Sequence, residues 1–176
     1  RESLIKHTLK GENEPAEHGL VPKFGNYDNS EVPGFEFDPD QAKKLMAEAG
    51  YPNGKGFPEL TLYMNEGGSI NTIVATTLQN QLKENIGVTV NIEPLQLDVL
   101  IERFATGETD FARTSWIADF PDPSNFLWLF YGKNVPDDPH ARSLPNFSRY
   151  KNPLFDEYLE KGMASIDPNE QLKYYN

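Results

Sequence analysis

The sequence predicts an α/β fold, a mixed sheet flanked by helices, on three observations. Alternating apolar residues mark short strands at residues 60–64, 88–92 and 111–117. Between them lie amphipathic stretches with apolar positions at i, i+3, i+4 and i+7. Capping residues and glycines punctuate these stretches. Strands joined through helices need crossover connections, so the sheet holds parallel neighbours and helices cover its faces.

The elements follow in order. Arg1 opens the chain inside a helical pattern that puts Leu4, Ile5, Thr8 and Leu9 on one face before Gly11. Residues 11–37 are rich in Gly, Pro, Asn and Asp, show neither period, and read as an irregular surface segment. Asp38, Pro39, Asp40 and Gln41 start a helix with Ala42, Leu45, Met46 and Ala49 in one stripe and Gly50 as its stop. Residues 51–56 carry turn chemistry, and Leu60, Leu62 and Met64 then alternate with Thr61 and Tyr63 as a half-buried strand does. A long helix over 71–85, with Ile70, Val74, Leu78 and Leu82 in its stripe, stops at Gly87. Val88, Val90 and Ile92 form the second strand, which Pro94 is expected to end because proline cannot donate to a ladder.

Leu97, Leu100, Ile101 and Phe104 mark the next helix, and Gly107 terminates it. The third strand spans 111–117, after which Asp122 and Pro123 cap a short aromatic helix with Phe126, Leu127, Leu129 and Phe130. Residues 132–145 read as a Pro- and Asp-bearing loop. Asn152 and Pro153 start a helix carrying Phe155, Tyr158 and Leu159. Asp167, Pro168, Asn169 and Glu170 start another, with a cap, a proline and a capping-box acid, yet six residues later the chain stops. With no initiator Met at the other end, both termini read as cuts from a longer protein.

Composition narrows the function. Sixteen Lys+Arg against 27 Asp+Glu give the 176 residues a formal charge of −11. That excess repels a phosphate backbone, and the cations are scattered, so nucleic acid is not an expected partner. A single domain of this length removes roughly 70% of its unfolded surface from water, enough for a core without disulfides or metals. The chain has no cysteine, which excludes thiolate catalysis and Cys-based zinc sites. Eight Tyr, 11 Phe and two Trp argue against disorder. No apolar run approaches the ~18 residues that cross a bilayer.

Enzymatic templates find little support. His7, His18 and His140 lack ligand-like spacing, so neither metal nor cofactor is expected. No G-x-S-x-G elbow surrounds Ser115, and neither Gly67, Gly68 and Ser69 nor the glycines of 50–56 make a phosphate loop. The densest unusual segment is D-F-A-R-T-S-W-I-A-D-F-P-D-P-S-N-F-L-W-L-F at residues 110–130. Its strand delivers Arg113 and Trp116 toward the carboxyl end, where ligands meet open α/β sheets. Each residue there has a plain role beside a functional one. Asp122 is most simply an N-cap. Asp119 is a turn-forming aspartate or a ligand for a cation. Trp116 is a core or rim aromatic or a recognition surface, and Arg113 pairs with Asp110 or Glu108 or meets a ligand.

Four ordered stretches also match a known pattern: F-D-P-D-Q-A-K-K-L-M-A-E-A-G-Y-P-N-G-K-G-F-P-E-L-T-L at 37–62, L-K-E-N-I-G-V-T-V-N-I-E-P-L at 82–95, G-E-T-D-F-A-R-T-S-W-I-A-D-F-P-D-P-S-N-F-L at 107–127, and Y-K-N-P-L-F-D-E-Y-L at 150–159. Together they resemble bacterial extracellular solute-binding proteins of the oligopeptide, dipeptide and nickel type, which serve ABC importers. The resemblance implies one lobe of a type II periplasmic-binding-protein fold, the distal carboxyl-terminal one, with the amino-terminal lobe as its partner. It implies that Asp119 pairs with a peptide's α-ammonium, that Trp116 lines a side-chain pocket, and that Arg113 meets the ligand carboxylate. A membrane permease, an extracytoplasmic location and a lipoprotein parent are implied in the same way.

The leading expectation is therefore a non-catalytic lobe that captures oligopeptides. Binding of nickel chelates, haem or sugars is the alternative within the family. The sensor domain of a transcription regulator is an alternative of another class, and an Asp119/Asp122 acid/base pair is a third, which the spacing allows although nothing in the sequence sets the two carboxylates apart as acid and base.

Overall fold

Strand β1 (Leu60–Asn65) is the centre of the sheet. Strand β2 (Val90–Leu95) pairs with it in parallel from Leu60↔Val90 to Asn65↔Leu95, and β3 (Ala112–Arg113) pairs in parallel on its other side, Tyr63↔Ala112 and Met64↔Arg113. The class is the expected α/β, although the sheet expected to be mixed is parallel throughout among the described residues. This computed structural model describes residues 1–2, 4–11 and 14–176, with the side chains of His7 and Thr8 outside the description. The chain groups into two compact units: Arg1–Pro15, Glu36–Leu100 and Thr109–Thr114 make the first, and Ala16–Phe35, Ile101–Glu108 and Ser115–Asn176 make the second.

In the first unit, helix α1 (Pro39–Glu48) starts as its sequence dictates, because Asp38 Oδ1 accepts the Gln41 N–H at 2.8 Å and Pro39 supplies a preset φ. Helix α2 (Ser69–Ile86) begins two residues before its expected start and stops at Gly87. There the chain turns left-handed, φ 73°, and the Val88 N–H reaches back to Leu82 O. Val88 thereby drops into a core with Leu62, Met64, Ala75 and Val90. Burying each such aliphatic side chain stabilises by about 1.5–3 kcal/mol. Leu62 and Met64 point into that core while Thr61 and Tyr63 stay half-buried, which is the alternation the sequence shows. Leu45 and Ile70, assigned to buried stripes, are instead exposed.

Two strand boundaries differ from expectation, each for a physical reason. β2 continues through Pro94 because it lies at an edge, where the missing N–H leaves no partner unsatisfied. The third strand is two residues long, not seven: among the described residues the backbone of Thr114–Ala118 joins no strand. The amino-terminal pattern closes as a π-helix, Leu4–Thr8, with the Leu9 N–H on Leu4 O; of its expected face, the Thr8 side chain lies outside the description.

The second unit packs Val21, Tyr27, Leu159 and Tyr175 with Phe24, Phe126, Leu127 and Leu172 around them. Residues 16–35 are thus irregular but not wholly superficial, and Asn29 ties them by donating to His18 O at 3.0 Å and Val21 O at 2.8 Å. Helix α3 (Leu97–Thr106) has its last six residues in this unit. Helix α4 (Ser124–Leu127) leads into a 3₁₀ turn, Trp128–Phe130. Helix α5 (Pro153–Ala164) is capped by Asn152, whose Oδ1 accepts the Leu154 N–H at 3.0 Å. Helix α6 (Pro168–Tyr175) is capped by Asp167, whose Oδ1 accepts the Asn169 N–H; Glu170, expected to close a capping box, accepts from the Ser165 hydroxyl instead. The Tyr175 ring lies on the α5 backbone at Gly162, where a Cβ would stand 2.3 Å from it.

Gly87→Ala tests the turn that seats Val88. A Cβ there would stand 2.1 Å from Asn53 O, beyond the ~1–2 kcal/mol that left-handed backbone costs an L-residue, so the urea midpoint is expected to fall. An unchanged midpoint contradicts the packing described.

Candidate functional site

The site grows from one turn of the second unit. Asp122 shapes it: Oδ1 accepts the Ser124 N–H at 2.9 Å and its carbonyl accepts the Asn125 N–H at 3.0 Å, which sets Pro123 in helical geometry and launches α4. Asp122, expected to be the N-cap, stands one residue before the cap position, which Pro123 occupies without a side-chain bond, and shapes the turn through the Ser124 N–H instead. Asn125, on the first turn of α4, is buried, and its Oδ1 accepts the indole N–H of Trp116 at 2.7 Å. That side-chain bond ties the two ends of residues 116–125.

Between the tied ends the chain bends through Asp119, which is exposed. Among the described residues no hydrogen bond or ion pair engages its carboxylate. Ile117 and Phe120 flank it and are exposed as well, and Trp116 turns part of its ring outward. The loop therefore offers an anionic group beside apolar and aromatic surface, an arrangement that suits an organic ammonium group.

Arg113 belongs to the first unit. It closes β3 opposite Met64, half-buried, and neither Asp110 nor Glu108 pairs with it among the described residues; Glu108 accepts from the Thr106 hydroxyl at 3.0 Å. The strand order β2-β1-β3 reverses direction at β1, so the carboxyl ends of β1 and β3 border the switch point where open α/β sheets take ligands. Of the three residues singled out in the sequence, Trp116 and Asp119 share one loop, and Arg113 stands at the end of a strand of the other unit.

Two further residues escaped sequence reasoning. Asn125 gave no signal, because nothing in the chain pairs an asparagine with a tryptophan nine positions earlier. Tyr175 is the other. Its buried hydroxyl faces Asp122, Ser124 and Gln171 without meeting hydrogen-bond geometry with any of them. Burial first, and the Asp122 charge second, push its pKa up to about 12 from 10.0.

A cavity of about 550 Å³ lies elsewhere in the second unit, with Lys133, Asp137, Lys151 and Asp156 among its lining. Its charges are engaged internally: Lys151 with Asp137 at 3.9 Å, Asp156 with the Gly132 N–H at 2.7 Å, and Lys133 with Glu160. Among the described residues no group of His, Asp and Glu converges to hold a metal ion, and no helix is long and apolar enough to cross a membrane.

Comparison with known proteins places this geometry among relatives. The model of bacterial extracellular solute-binding proteins, family 5 Middle, matches residues 1–138. Di/tripeptide-binding protein 2 of Pseudomonas aeruginosa is 30% identical over 99% of this chain, which spans 32% of that protein. Heme-binding protein A of Haemophilus influenzae is 27% identical over 99% of this chain, which spans 31% of it. The solved structure of a periplasmic binding protein, DppA, from Helicobacter pylori in complex with the peptide STSA superposes with a TM-score of 0.78 at 28% identity, covering 99% of this chain and 32% of that one.

The Tyr175 environment makes a pH prediction. A raised phenol pKa favours the neutral form in the folded chain, so this stability is complete below about pH 10 and is lost as pH rises toward 12. Tyr175→Phe is expected to shrink the drop in urea midpoint between about pH 9 and pH 11. At neutral pH it should leave the midpoint unchanged or higher, since the hydroxyl has no hydrogen-bond partner to lose. A variant that loses as much stability as the parent across that range contradicts the assignment.

Proposed function

We propose that this chain, which belongs to the bacterial extracellular solute-binding proteins of family 5, is the distal, carboxyl-terminal lobe of a two-lobed receptor that captures oligopeptides for an ABC importer. The observation that carries the reading is the exposed carboxylate of Asp119, unpartnered among the described residues and flanked in sequence by Trp116 and Phe120. In this reading Asp119 holds the peptide's amino terminus, Trp116 lines the pocket of a neighbouring side chain, and Arg113 meets the peptide's carboxylate.

The division of labour follows from peptide chemistry. Side chains vary among peptides, whereas the terminal charges and the backbone do not, so fixed charges read the ends. A carboxylate and an ammonium removed from water make a charge-assisted hydrogen bond. An extended peptide satisfies its remaining backbone groups on strand-like segments, which adds affinity without selecting sequence. The names of the Pseudomonas and Helicobacter relatives point the same way.

The Haemophilus relative supports haem as a second reading. Haem presents two anionic propionates, and the uncompensated charge on this loop is itself anionic, so the electrostatics of Asp119 favour a peptide ammonium. In the peptide reading the partners are the amino-terminal lobe and a membrane permease, and the receptor works in the periplasm or on the outer face of the membrane. The proposed role is non-catalytic, and the engagement of Asp122 Oδ1 by the Ser124 N–H supports a turn-shaping role for that carboxylate.

Asp119→Asn in the full-length parent tests the assignment by titration calorimetry. Loss of one partner of a desolvated ion pair costs ~2–5 kcal/mol, so affinity for a tripeptide should fall at least thirtyfold. Equal affinities for parent and variant would count decisively against it. The chain of 176 residues alone is expected to bind peptide weakly, in the millimolar range, or not at all, because half the burial is missing; nanomolar binding by NMR titration contradicts the two-lobe account.

A further inference from the structure

We infer that Asn125 is a positioning residue: it fixes the ring of Trp116, and with it the loop that displays Asp119, before any ligand arrives. The inference rests on the peptide reading for its consequence and on the geometry alone for its mechanism.

The indole Nε1 is a donor and nothing else, so the Asn125 amide must present its oxygen to it, and the 2.7 Å separation marks a short bond. Asn125 itself has little freedom. It is only 6% exposed, its backbone N–H is held by Asp122 O at 3.0 Å, and its position on the helix is set by the Asp122 turn. A buried, oriented acceptor thus grips one edge of an aromatic residue that is 43% exposed overall. Without that grip, Trp116 follows no strand and no helix: residues 114–118 carry no regular structure. An unfixed indole rotates about two side-chain torsions, and a ligand that binds it must then order it, at an entropic cost. The same bond closes residues 116–125 into a short loop, which narrows the conformations open to Asp119 at its bend.

This makes selectivity depend on a residue that no ligand touches. A ring held in one plane forms one wall of fixed shape and separates peptides by the side chain they lay against it. A ring free to turn accepts all of them with smaller differences.

Nitrogen-15 labelling of this chain resolves the two indole N–H groups, and their hydrogen exchange reads the grip directly. In the wild type, Trp116 is expected to exchange more slowly than Trp128, although Trp128 is the less exposed at 37%, because among the described residues no hydrogen bond engages the Trp128 indole. Asn125→Leu should speed Trp116 exchange at least tenfold and leave Trp128 unchanged. Asn125→Asp, which keeps an acceptor oxygen in place, should restore the protection to within about threefold. Unchanged Trp116 exchange in Asn125→Leu overturns the inference, and so does equal loss in both variants, which would mean the acceptor is not what holds the ring. Should either variant fail to fold, the wild-type order of the two indoles decides, and faster exchange at Trp116 sinks the idea.

The ligand arm uses the full-length parent and its Asn125→Leu variant, with Ala-Phe-Ala and Ala-Gly-Ala followed at the same two indole signals. The wild type is expected to separate the two peptides by a larger ratio of dissociation constants than Asn125→Leu does, by about threefold or more. Equal ratios contradict a role in selectivity. No shift of Trp116 by either peptide in the wild type sinks the peptide reading instead, and the exchange data still settle whether Asn125 positions the ring.

Discussion

An anionic side chain, Asp119, with no partner among the described residues is the constraint from which the rest follows. Most carboxylates in this chain are spoken for. Asp38 and Asp167 cap helices, Asp122 shapes a turn, Asp156 accepts a backbone N–H, and Glu160 holds Lys133. Each of these stabilises the structure by satisfying groups that would otherwise be orphaned. Asp119 satisfies nothing among the described residues, yet it sits at the bend of a loop whose ends are fixed by a 2.7 Å side-chain bond. Ordering a loop to display an idle charge costs conformational entropy, and the proposed capture of a peptide ammonium would give that ordering a use.

Rigidity beneath the loop comes from the second unit's own core. Phe126 and Leu127, immediately after Asn125, are anchored against Tyr27, Leu159 and Tyr175, and Gly162 lets the Tyr175 ring approach the α5 backbone. The loop therefore inherits the stability of two aromatic-rich helices rather than supplying its own. In the first unit the parallel sheet plays the corresponding part for Arg113, which the register with Met64 holds at a strand end beside the switch point. Fixed charges on rigid supports are what the proposed receptor for variable peptides would require, because only a peptide's ends are constant.

The sequence made the local chemistry of helix ends legible and left the tertiary pairings hidden. Asp38, Asn152 and Asp167 announced their helices because capping is settled within three or four residues. Gly87 announced a stop for the same reason. Strand length was harder. The third strand stops after Arg113 although its parity runs on to Ile117, and β2 passes through Pro94 because an edge strand tolerates it. Neither the length of a partner strand nor the edge position is written in the residues themselves. The irregular stretch before Asp38 hid Val21 and Tyr27, which join a core built largely from residues more than a hundred positions later. Arg113, Trp116 and Asp119 were visible as candidates through their motif, whereas Asn125, which grips Trp116, appears only when the chain is folded.

The central claim is that the charge at position 119 recognises a free amino group, and N-terminal acetylation of the ligand removes that group while leaving all else in place. Isothermal titration of the full-length parent with a tripeptide and with its acetylated twin is the most direct measurement. The account predicts an affinity loss of about thirtyfold or more for the acetylated peptide, the scale set by one desolvated ion pair. Equal affinity for the two peptides would contradict it.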